Sequence, residues 1–173
     1  MKVPLFLLLA ASVVLLTGAA AYAIHETIPS ETQVALPGAD AQKLGEYILR
    51  GSPYSHWKMW PGKGKFYKGT EPHGALLTTY VNDVAYESLR SGRGVLPDDS
   101  LIVKENYTAD KTLSSLTVMY KVKGYSPKAG NWFWAKYTPE GKAEAAGDLE
   151  MCITCHGKNK ENDYIMTEKL RKK

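Results

Sequence analysis

The chain has 173 residues, 44% of them hydrophobic and 23% charged, with a formal net charge of +4 at pH 7. That length suits one domain with one core. A charge so mild, with its basic residues dispersed and only a short basic run at Lys169–Lys173, argues against DNA or RNA as a partner.

Residues 1–23 read as a signal peptide: Lys2 gives a small positive start, Val3 to Thr17 is an almost unbroken apolar run, and Ala21-Tyr22-Ala23 offers a cleavage pattern. An uncleaved anchor is the alternative, since Val3 to Ile24 is just long enough to cross a bilayer; either way the remainder is expected to be exported, periplasmic or secreted. Residues 24–38, polar and proline-bearing, form a linker or arm, and residues 39–173 one domain. Asp40 is placed to cap a helix over Ala41–Arg50, with Leu44, Tyr47 and Ile48 on one face and Gly51 after it. Ser52–Pro72 has no clear period and reads as ordered loop with short extended pieces. Four segments alternate as strands do: Ala75–Tyr80, Ser100–Tyr107, Ser115–Val122 and Asn131–Tyr137, the last three joined as an antiparallel meander. A helix over Asp83–Ser91, capped by Asn82 and stopped by Gly92, lies between the first two. Asp148 is placed to cap a last helix ending at Gly157. There is no internal repeat or low-complexity tract, and the fold class is α+β: an antiparallel β-sheet with a few packed helices.

That last helix contains Cys152-Ile153-Thr154-Cys155-His156, and C-x-x-C-H is the attachment signature of a c-type haem. Thiols three residues apart on a helix share a face and can each form a thioether to one vinyl group of the same porphyrin, leaving the adjacent histidine to ligate the iron. The competing readings are weaker. No βαβ pattern supports a thioredoxin-like dithiol, a disulfide here would close almost no loop, and a zinc site lacks further cysteines, only His25, His56 and His73 remaining. One covalently attached haem c is therefore the expected cofactor, held by Cys152, Cys155 and His156.

The other face of the haem decides function. A second strong ligand makes an electron carrier, for which His56, His73, Met59, Met119, Met151 and Met166 are the candidates; an open face binds small ligands or does chemistry. Glu105 shares a strand face with Leu101, Val103 and Tyr107, where desolvation would raise its pKa and let it take protons from a bound nitrogen or oxygen ligand. The alternative is a surface ion pair with a lysine. Trp132, Phe133 and Trp134 supply apolar surface for the core, the haem edge or a subunit contact.

From Trp57 to Thr167 the chain resembles the cytochrome P-460 family, which includes the cytochrome c′-beta proteins. The resemblance rests on Pro72-His73-Gly74, Tyr80-Val81-Asn82-Asp83, Leu96-Pro97-Asp98-Asp99-Ser100, Gly130-Asn131-Trp132, the haem motif with Gly157, and Asn162-Asp163-Tyr164. It implies an antiparallel sheet with helices around one c-type haem, a proximal histidine at His156, an open distal face, usually a homodimer, and an electron-transfer partner that the sequence does not identify. One group of the family oxidises hydroxylamine and nitric oxide with a lysine-cross-linked haem and a distal carboxylate; the other has an apolar distal pocket and binds nitric oxide or carbon monoxide. Val84 stands where the cross-linking lysine is expected, Lys104 falls on the strand face opposite Glu105, and Glu105 falls close to the distal carboxylate. The expected function is a c-type mono-haem cytochrome binding a small gaseous or nitrogen-oxide ligand. The alternatives are a hydroxylamine/nitric oxide oxidoreductase using Glu105 and a simple electron carrier.

Overall fold

The computed structural model describes residues 34–170. The expected signal peptide and most of the expected arm lie outside the described residues. Helix α1 (Ala41–Glu46) starts where Asp40 accepts a hydrogen bond from the Lys43 amide at 2.9 Å, and it continues as one wider π turn over Tyr47–Gly51. Leu44 and Ile48 are fully buried on one side of this unit. The stretch expected to be loop holds a 3-10 turn at Tyr54–His56 and two short strands, β1 (Lys58–Met59) and β2 (Tyr67–Lys68).

The four expected strands appear within one or two residues of their predicted bounds: β3 (Leu76–Val81), β4 (Leu101–Tyr107), β5 (Leu113–Lys121) and β6 (Trp132–Tyr137). A fifth, β7 (Ala143–Gly147), continues the meander. All pairings are antiparallel, in the order β1-β3-β4-β5-β6-β7, with β2 also on β3. The fold is α+β, as expected. Helix α2 (Asp83–Ser91) is capped by Asn82 and ends at the left-handed Gly92. Helix α3 (Glu150–His156) is capped by Leu149 without a side-chain bond, not by Asp148. Asp148 instead accepts from Ser126 Oγ at 3.1 Å and faces Lys128, so the helix begins one residue later than its strongest capping residue suggested.

Each face of the sheet carries its own core. On one, Leu101, Val103, Leu116, Val118, Tyr120, Phe133, Ala135 and Tyr137 pack with Leu44 and Ile48 of α1. On the other, Val81, Ile102, Trp132 and Trp134 meet Ala85 and Leu89 of α2 and Ile165 and Leu170 beyond α3. The period of two decides which residue goes where. Among the described residues, no helix is long and apolar enough to cross a membrane.

Asn82 joins the two layers. Its Oδ1 accepts from the Ala85 amide of α2 and the Leu101 amide of β4, while its Nδ2 donates to the Asp99 carbonyl. Asn82→Ala loses the cap and strands a β4 amide, so urea unfolding should show a loss of about 2 kcal/mol at unchanged m-value.

Candidate haem-binding site

Helix α3 places Cys152 and Cys155 three residues apart on one side, half-buried and unpaired, and buries His156 beside them. Burial, with the neighbouring Cys155 thiol, pushes the Cys152 thiol pKa up, so it stays protonated near neutrality. His156 Nδ1 lies 2.7 Å from the Tyr164 carbonyl oxygen. A carbonyl only accepts, so Nδ1 carries the proton and Nε2 is left with a free lone pair, as a metal ligand requires. Burial lowers the His156 pKa, opposed by that hydrogen bond and reinforced by the charge of Lys104.

These three residues line a cavity of about 530 Å³ between α3 and the sheet. Its sheet wall follows from register. Thr79, Lys104, Thr117, Lys136 and Ala145 are successive partners across β3 to β7; Val81, Ile102, Met119, Trp134 and Gly147 form the adjacent row, and Leu77, Asn106 and Ser115 the next. Lys104, Asn106, Thr117, Met119 and Trp134 reach the cavity. Burial lowers the Lys104 pKa to about 8, and no carboxylate among the described residues pairs with it. The Trp134 ring stands edge-on to His156 at 4.7 Å between centroids, and His73 reaches the same histidine at 6.2 Å.

His73 is held by β4. Asn106 Nδ2 directs its two hydrogens at the carbonyls of Lys104 and Ser115, with Thr117 Oγ1 also within range, so its Oδ1 must accept from His73 Nδ1 at 3.0 Å. That leaves His73 Nε2 unprotonated. Burial, with the charge of Lys104, lowers the His73 pKa to about 4. The following residue has to be glycine: a Cβ on Gly74 would sit 2.5 Å from the Tyr107 backbone.

A family model described as Cytochrome P460 matches residues 53–167. The chain belongs to that family. Membership implies a haem cofactor; a search of curated proteins returned no match. The residues present fit such a group. Two thiols and a bare imidazole nitrogen share one wall, the remaining wall is largely apolar, and the buried indole N–H groups of Trp60 and Trp134, both of which line the cavity, have no partner among the described residues. Among the described residues no cluster of three or more His, Cys, Asp or Glu side chains could hold a bare metal ion.

Of the residues singled out from the sequence, His73, Met119, Met151 and Met166 reach this cytochrome P460 cavity with the haem motif, whereas His56 and Met59 do not. Trp134 lines it, while Phe133 packs on the opposite face. Val84 is exposed on α2, away from the cavity. Glu105 corrects an expectation. It is neither above the cavity nor in a surface ion pair: the alternation holds, but the cavity lies on the Lys104 side. Glu105 is buried on the α1 side, accepting from Tyr54 at 3.0 Å and Tyr107 at 2.7 Å. Burial and the nearby carboxylate push the pKa of both tyrosines up. Asn106, Thr117 and Trp60 were not singled out. The signal for Asn106 and Thr117 was the polar run Lys104, Asn106, Ser115 and Thr117 on one face of otherwise apolar strands; Trp60, in the aperiodic stretch after β1, had none.

Glu105→Gln should leave the visible spectrum and ligand affinity of the haem protein unchanged, checked by absorption titration, while unfolding costs about 1 kcal/mol less. Lys104 titrates near 8 when folded against 10.5 when unfolded. The unfolded chain therefore binds more protons between those values, and stability rises with pH across that window. Lys104→Met should be more stable at pH 7, by on the order of 2 kcal/mol, with the gap closing toward pH 10.5 in denaturant titrations.

Proposed function

We propose that this cytochrome P460 family member is an exported c-type mono-haem protein, with haem attached through Cys152 and Cys155, ligated by His156, and open on its other face to nitric oxide or a similar small ligand. The observation that carries the reading is the convergence of both thiols and the unprotonated Nε2 of His156 on one cavity. Such a haem supplies an iron centre able to bind and exchange electrons with small nitrogen and oxygen species. The protein's own residues exclude water with Trp60, Trp134 and Ile165, fix the histidine through Tyr164, and offer Lys104 and His73 as polar groups inside.

Lys104 favours a second reading. The resemblance to enzymes that oxidise hydroxylamine with a lysine-bonded haem needs a lysine at the cavity, and Lys104, not residue 84, is there with a lowered pKa. The proton acceptor in that reading is not Glu105, which faces the other way; His73, neutral above about pH 4, and the Glu71 carboxylate both line the cavity and are the groups at hand. A homodimer remains part of the proposal, by analogy with the family alone.

Expressed with a c-type maturation system, the protein should keep its haem through denaturing electrophoresis, and the Cys152→Ala/Cys155→Ala variant should lose it. A high-spin spectrum that shifts with nitric oxide is expected. A low-spin spectrum in both oxidation states, unmoved by nitric oxide, would instead mean an electron carrier with a protein sixth ligand, His73 first among them. Steady-state oxidation of hydroxylamine with an artificial acceptor, abolished in Lys104→Met, decides for the enzyme; no turnover leaves a gas-binding cytochrome.

A further inference from the structure

The carbonyl that accepts the hydrogen bond of His156 Nδ1 belongs to a residue in an unfavourable backbone conformation. Asp163 and Tyr164 have φ of 54° and 65°, two consecutive non-glycine residues in the left-handed region. Each such residue costs on the order of 1 kcal/mol, and a pair persists only where its surroundings over-determine it.

Those surroundings are unusually complete. The Asp163 carboxylate accepts from Lys121 Nζ at 2.5 Å and from the Leu96 amide at 2.8 Å, and both charged side chains are more than nine-tenths buried. The Asp163 carbonyl accepts from the Trp132 indole at 3.0 Å, and the Lys121 ammonium lies 5.0 Å over the same indole. The Tyr164 amide donates to the Asn159 carbonyl and its hydroxyl to the Lys128 carbonyl. Its ring lies where a Cβ on the left-handed Gly130 would be, 2.8 Å from that position. Strands β5 and β6 and the loop after α2 thus all hold one dipeptide, whose one outward product is a carbonyl pointed at His156.

A buried ion pair is a poor way to gain stability, since desolvation offsets most of its Coulomb attraction. What it gives here is position. We infer that Lys121, Asp163 and Trp132 form a positioning clamp that fixes the Tyr164 carbonyl against His156 Nδ1 and so tunes the electron-donating strength of that histidine toward iron. Hydrogen-bond acceptors behind a ligating imidazole raise its basicity and lock its orientation. This inference rests on His156 being the iron ligand.

The test uses the mature haem protein. Asp163→Asn keeps an acceptor for Leu96 but gives up the charge; Trp132→Phe removes the indole donor together with part of the ring beneath Lys121; Lys121→Arg preserves the ion pair. In the first two, the midpoint potential should rise and the iron–histidine stretching band of the dithionite-reduced protein should fall to lower wavenumber, because a displaced carbonyl leaves the imidazole a weaker donor. Lys121→Arg should stay close to native in both. A variant that melts earlier yet shows native potential and native band would reduce the clamp to a structural role and overturn the proposal. If Asp163→Asn does not fold, the potential and band of Trp132→Phe decide the matter on their own. Haem absent from the native protein would overturn the haem reading along with the clamp, whereas haem present with unmoved bands overturns the clamp alone.

Discussion

Lys104, Thr117 and Lys136 stand side by side because β4, β5 and β6 pair in one antiparallel register, and most of the molecule follows from that row. In a sheet covered on both sides, a slip of one residue would exchange the two faces completely. It would put Glu105, Leu116 and Tyr137 toward α3, and would turn the lysine and the amide of Asn106 into the core under α1. That core is built mainly of aliphatic and aromatic side chains, a poor environment for an ammonium and a carboxamide. The register is therefore enforced twice, by apolar side chains that must avoid water and by polar ones that must avoid the other core.

That constraint explains how an otherwise ordinary sheet tolerates a cavity. The α1 side is filled by aliphatic and aromatic side chains, with Glu105 made tolerable by two tyrosine hydroxyls. The opposite side is packed at its flanks, by α2 at one and by Ile165 and Leu170 at another, and left open where Lys104, Asn106 and Thr117 project. The buried lysine lowers stability at neutral pH, and the cavity forgoes dispersion contacts. Both are costs of a kind that folded chains usually bear at functional sites.

The sequence revealed most of the frame. Alternation located β3 to β6, Asp40 and Asn82 marked two helix starts, and the C-x-x-C-H spacing identified the residues that converge on the cavity. What stayed hidden had physical reasons. β7 is five residues of alanine, glutamate and glycine whose strand state comes from pairing with β6 and not from its own propensity. β1 and β2 are too short to show a period. Glu105 was legible as a buried carboxylate but not as one facing α1, because alternation says which residues share a face and not which face meets which layer. The Tyr164 carbonyl was invisible in principle, since its role depends on a backbone conformation that no side chain advertises.

Helix α3 has seven residues, no side-chain cap at its start, and an exposed Met151 in its first turn. On its own it would be far too short to persist in water. Its place is secured from outside, by Leu149 and Ile153 against the second core and by the Tyr164 turn behind it. The segment after β7 adds no strand to the sheet, so the residues that carry the haem motif are held to it by side chains alone, through Ile165 and Leu170 in the second core and through the buried Lys121–Asp163 pair.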